Sequence, residues 1–99
     1  MADILLTFHC ASHDADSVTD ALRAACDAPI HIAEQAVRGW DFGDASTAER
    51  VSGLLRRSAL ELIVDEGALG ALVGAVTQSK RSLPVRWHTV PVSARGRIV

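Results

Sequence analysis

Positive charge is scarce in this chain: 10 lysines and arginines stand against 12 aspartates and glutamates, a net charge of −2 over 99 residues. Such a balance supplies none of the field that a phosphate backbone demands, so nucleic acid is not an expected partner. Long apolar runs are missing too. The longest uncharged segment, residues 67–79, is well short of the ~20 residues that a bilayer span requires. No lysine or arginine precedes the short apolar run near the N-terminus, and the first is Arg23, so the start does not read as a signal peptide and a cytoplasmic location is expected. Cysteine is limited to Cys10 and Cys26, expected at opposite ends of one helix, too far apart for a disulfide and in keeping with a reducing compartment. There is no CxxC pair and no recognisable nucleophile, base and carboxylate spacing, so the chain is not expected to be an enzyme.

What is present is one pattern stated twice. An apolar strand, an amphipathic helix and a second strand occupy residues 4–40 and again residues 60–92, which predicts one α+β domain of βαββαβ order with a four-stranded antiparallel sheet spanning residues 1–99. Residues 4–8 form the first strand. Ser12 caps a helix to about Asp27 whose apolar stripe is Val18, Ala21, Leu22, Ala25 and Cys26. Residues 30–38 form the second strand, 59–64 the clearest part of the third, and 85–92 the fourth. Asp65 caps the second helix, with core stripe Leu69, Leu72, Val73 and Val76.

Two features stand outside this pattern. On the second helix, Gly67, Gly70, Ala71, Gly74 and Gln78 gather opposite the core stripe, where an exposed helix usually carries Lys and Glu. Each glycine in a helix interior costs ~1 kcal/mol relative to Ala, so the face is either a tolerated wet surface or a place where another surface approaches. Between strands two and three, residues 39–53 form a loop with Trp40 and Phe42 as candidate docking residues. Ser46-Thr47-Ala48-Glu49 spells a capping box, predicting a turn or two of helix before the third strand.

Leu5-Leu6-Thr7 with Cys10, Ser46-x-x-Glu49-Arg50-Val51-Ser52-Gly53 ahead of Arg56-Arg57, and Val90-Pro91-Val92 with Gly96-Arg97-Ile98 resemble the PII-like superfamily, which includes nitrogen-regulatory PII and CutA-like proteins. More narrowly, they are similar to a small branch whose genes lie beside heavy-metal efflux pumps of the resistance-nodulation-division type. The resemblance implies a ferredoxin-like fold of strand order 4-1-3-2, a homotrimer with its sheets at the centre, small ligands in clefts between subunits, and a regulatory role toward a partner such as a heavy-metal efflux transporter. With no tyrosine in the chain, the uridylylation that marks signalling PII proteins is excluded. The joint at residues 77–84 also lacks the glycines of their phosphate-cradling loop.

Candidate ligand-binding residues are Lys80, Arg81, Arg95 and Arg97, which would meet an adenine nucleotide or another anion at a subunit boundary; the plainer reading is four solvated charges. The alternative is a copper- or zinc-binding, CutA-like protein. Its candidate ligands are Cys10, His13 and His9, with Cys10-x-x-His13 the better pair because consecutive strand residues face opposite ways. In the implied strand order, His9, Cys10, His13 and His31 are expected toward one edge of the sheet. Trp87 is expected in core or assembly packing.

Overall fold

Alternating apolar residues 4, 6, 8 and 10 give the first strand, β1 (Asp3–Ala11), one dry face, and Ile4, Leu6, Phe8 and Cys10 are all buried there. The computed structural model describes residues 2–38 and 47–99, the side chains of Val51 and Ser52 apart. The remaining elements are α1 (Ala15–Ala25), β2 (His31–Val37), α2 (Thr47–Ser52), β3 (Leu55–Asp65), α3 (Leu69–Gln78) and β4 (Arg86–Val92). Single 3₁₀ turns, Ser12–Asp14 and Glu66–Ala68, lead into α1 and α3. The Asp65 carboxylate accepts the Gly67 amide at 2.8 Å and so caps the 3₁₀ turn ahead of α3, whose own N-cap position is Ala68 with no side-chain bond.

The four strands form one antiparallel sheet of order β2-β3-β1-β4, the expected ferredoxin-like arrangement. Both long helices pack on the same side. Val18 and Leu22 of α1 and Leu72 and Val76 of α3 close over Leu60, Leu62 and Val64 of β3 and the dry face of β1. The α1 stripe gives out early: Ala25 is exposed, because the helix ends there and Cys26 turns into extended backbone. β3 starts four residues earlier than the apolar pattern suggested, at Leu55, since Arg56 and Arg57 interrupt the pattern without interrupting the pairing.

Strand direction corrects one expectation. β1 and β3 are antiparallel, so the end of β1 meets the start of β3 (Ala11 opposite Arg57), the start of β4 (His9 opposite Arg86) and, through β3, the end of β2 (Val37 opposite Leu55). His31 starts β2 opposite Glu61, away from that edge, and does not join His9, Cys10 and His13. Among the described residues neither α1 nor α3 covers the second sheet face, and α2 reaches only its Arg57 end. This face presents Leu5, Thr7 and His9 of β1, with Glu61 and Ile63 of β3 and His88 and Val90 of β4 as their register partners or neighbours.

Candidate functional site

Three polar fastenings surround the end of the sheet from which residues 39–46 depart. At α2, Glu49 accepts from the Arg57 guanidinium at 3.0 and 3.2 Å and from the Arg56 amide at 2.6 Å. The Arg57 and Glu49 side chains are 8% and 14% exposed, so the ion pair is held largely out of water and ties α2 to β3. Sequence pattern alone would place Arg57 at the surface. At the β2 side, Ser12 and Ser58 hydroxyls donate to the two oxygens of Glu34 at 2.8 and 2.9 Å, and these bonds, Ser12 first, hold the Glu34 carboxyl below its usual range. At the β4 side, buried Asp14 accepts from the Ser82 amide, the Leu83 amide and the Ser82 hydroxyl at 3.0–3.2 Å. His13 Nε2 also meets the Ser82 hydroxyl, and Ser17 donates to the Lys80 carbonyl at 2.5 Å. The joint between α3 and β4 is therefore fixed by groups from the Ser12–Asp14 turn and α1.

The candidate ligand residues fall in two places. Lys80 is exposed on this joint, between α3 and β4. Arg81 folds back, its Nε and Nη1 donating to the Val76 and Leu83 carbonyls at 3.4 and 3.2 Å, and it borders a cavity of about 80 Å³ with Phe8, Val73 and Trp87 on the helix side. Arg95 lies near the opposite end, paired with Asp3 at 3.0 Å, beside an open-face depression of about 310 Å³ lined by Leu5, His31, Glu61 and Ile63. Arg97 is exposed in the tail. One chain alone does not bring Arg81 and Arg95 together. Trp40 and Phe42 lie outside the described residues. Trp87 is 45% exposed, so within the chain it is not core filler.

The metal candidates separate by strand pleat. Cys10 is fully buried on the helix side, its Sγ 3.8 Å from the Ser58 carbonyl. Burial, with the Asp14 and Glu34 carboxylates adding to it and Arg57 opposing, pushes its thiol up to about 11, so it is a poor source of thiolate. His9 points to the open face and His13 to Ser82. Among the described residues no group of three or more His, Cys, Asp or Glu is placed to hold a metal ion. His9 has instead a partner that sequence reading missed: its ring stacks on His88, with centroids 5.5 Å apart and planes 17° from parallel, and its Nδ1 lies 3.2 Å from Gln35 Oε1. That pairing spans β2, β1 and β4, and no local spacing announces it.

The sequence matches the family described as a protein of unknown function (DUF3240) over residues 1–99. The chain belongs to the DUF3240 family. Among solved structures it is similar to a DUF3240 family protein from Shewanella baltica, at TM-score 0.73 and 14% identity, covering 100% of this chain and 99% of that one. It is also similar to CPII from Thiomonas intermedia, a nitrogen regulatory PII-like protein bound to ADP, AMP and bicarbonate, at TM-score 0.63 and 17% identity, covering 100% and 98%. A third is a putative PII-like signalling protein from Thermus thermophilus, at TM-score 0.55, 16% identity and 93% coverage of both chains. No curated protein matches the chain. This DUF3240 chain thus has the fold of PII-like proteins, and no helix among its described residues is long and apolar enough to cross a membrane.

Proposed function

We propose that the chain is a PII-like regulatory protein that assembles as a homotrimer, binds an adenine nucleotide or a similar anion between subunits, and relays its state to a partner through residues 39–53. The observation that carries the reading is the rigid rim around that segment. The Glu49–Arg57 ion pair, the Glu34 clamp and the Asp14-held joint fasten the described elements that border it, so a ligand contacting the joint acts on a stiff frame. Likeness to a PII-like protein bound to ADP and AMP supports the nucleotide class. Because Arg81 and Arg95 occupy opposite ends of one chain, their convergence on an anion requires Arg81 of one copy and Arg95 of another. A heavy-metal efflux transporter is the partner we infer from the resemblance, with Trp40 and Phe42 as docking residues.

Native mass spectrometry with ADP, AMP and ATP tests the reading. A trimer gaining three nucleotides, with at least ten-fold weaker binding in Lys80→Ala/Arg81→Ala and in Arg95→Ala, is the expected result. Nucleotide binding by a monomer, or unchanged affinity in both variants, would refute it. Trp40→Ala/Phe42→Ala is expected to lose the partner while keeping trimer and nucleotide.

A further inference from the structure

We infer that His9 and His88 form a divalent transition-metal site on the open face of the sheet, taking a borderline ion such as Zn²⁺ or Co²⁺ through two imidazoles. The site goes beyond the nucleotide reading and does not rest on it. Three observations build it. The two rings stand on adjacent strands, 5.5 Å apart and nearly parallel, on the face opposite α1 and α3. His9 Nδ1 is 3.2 Å from Gln35 Oε1, an atom that only accepts, so Nδ1 carries the proton and Nε2 keeps its lone pair. Donation of the second ring nitrogen to a neighbouring oxygen is the arrangement that fixes the tautomer of metal-binding histidines and raises their basicity. Third, Glu61 sits diagonal to His9 across β1 and β3, since it pairs with Thr7 two residues back, and brings a carboxylate to the same face.

The geometry also states what must move. Two nitrogens bound at about 2.0–2.1 Å to a tetrahedral ion stand about 3.4 Å apart, closer than the present ring separation. His88 is exposed on an edge strand, so its ring is the one free to swing, while Gln35 holds His9 in place. Arg86, opposite His9 in the register, puts a positive charge beside the site and lowers its affinity for a cation. Positions not filled by imidazole are open to water. Buried Cys10 and His13, engaged with Ser82, take no part.

Zn²⁺ titration of the full chain by calorimetry, paired with Co²⁺ absorption spectroscopy, tests the site. One ion per chain is expected, with at least ten-fold weaker binding in His9→Asn and in His88→Asn and no change in His31→Asn, which removes another histidine from the same face. Gln35→Ala is expected to bind about ten-fold more weakly and Gln35→Glu to restore binding, which a merely structural role would not do. Arg86→Gln is expected to tighten binding. The Co²⁺ complex should show ligand-field bands without thiolate charge transfer. Unchanged affinity in both histidine variants, or a thiolate band lost in Cys10→Ser, would overturn the assignment. Neither outcome touches the nucleotide titration, so the two readings fail separately.

Discussion

Gly70→Ala and Gly74→Ala should each stabilise the chain, and the amount follows from geometry. Both glycines lie inside α3, neither is buried, and neither has positive φ. A Cβ built at either position meets no heavy atom within 4 Å. Nothing then opposes the propensity term, which favours Ala by about 1 kcal/mol per residue. The double variant should gain about 2 kcal/mol, and at about 4–8 °C per kcal/mol for a domain of this size its Tm should rise by about 8–16 °C. Gly53→Ala is the contrasting control. Its φ of 70° lies in the left-handed region, so Ala there should cost about 1 kcal/mol even though its Cβ also meets no heavy atom within 4 Å. Urea denaturation gives the free energies and light scattering after gel filtration gives the assembly state. A loss of stability in Gly70→Ala or Gly74→Ala with the assembly state unchanged would refute the reasoning. A stabilised chain that no longer assembles, or no longer holds a partner, would locate a contact on the glycine face instead.

Two further perturbations test the rim and the buried thiol. Glu49→Gln takes a carboxylate's charge from beside the mostly buried Arg57 guanidinium and should cost about 3 kcal/mol in urea, whereas Glu49→Leu/Arg57→Met should recover most of that loss; equal costs in single and double variants would mean the pair is not the fastening. Cys10, with its thiol pushed from 9.0 to about 11, should alkylate in the native chain at pH 8 about 100-fold more slowly than a free cysteine, with partly exposed Cys26 reacting first. Because the folded state holds the Cys10 proton more tightly, its contribution to stability is complete below pH 9 and is lost as pH rises toward 11. Peptide mapping that finds Cys10 modified as fast as Cys26 would remove the burial argument.

The fold was legible wherever a face is dry and the period therefore clean. β1 and the α3 stripe of Leu72 and Val76 lie where local spacing predicts them, and Asp65 caps the 3₁₀ turn that leads into α3. Reading failed where tertiary pairing overrides local character. Arg57 reads as a loop-base cation yet is buried, because Glu49, eight residues earlier, neutralises it. Ser12, Glu34 and Ser58 form one clamp from three elements, and nothing in their separate neighbourhoods joins them. Strand direction misplaced His31, since whether β1 and β3 run together or opposed decides which ends share an edge. Cys10 and His13 have a ligand-like spacing in sequence, but the end of β1 turns one inward and the other toward Ser82. His88 could not be tied to His9 by any local pattern, because their meeting is a consequence of register.

The surfaces left uncovered argue for company. Every residue of β2 except Val37, and every residue of β4 except Val92, is exposed, and both strands are edges of the sheet. Ile32 at 53%, Trp87 at 45% and Val90 at 45% exposure sit on those edges rather than in the core. A chain that stayed alone would be expected to blunt such edges. β4 has Pro91 and Arg86, whereas β2 offers only Glu34 among its ionisable residues beyond His31, and Ser12 and Ser58 already engage Glu34. β2 is thus the less defended edge, and addition of a neighbouring chain along it would satisfy its backbone and cover Ile32 together. The homotrimer we propose therefore makes a specific demand: Ile32→Lys, which places a charge on the helix side of that edge, should disperse the assembly at micromolar concentration while leaving the monomer folded, because Ile32 lies outside the buried core. Retention of the full assembly in that variant would mean that the open face alone holds the copies together and that β2 remains a free edge.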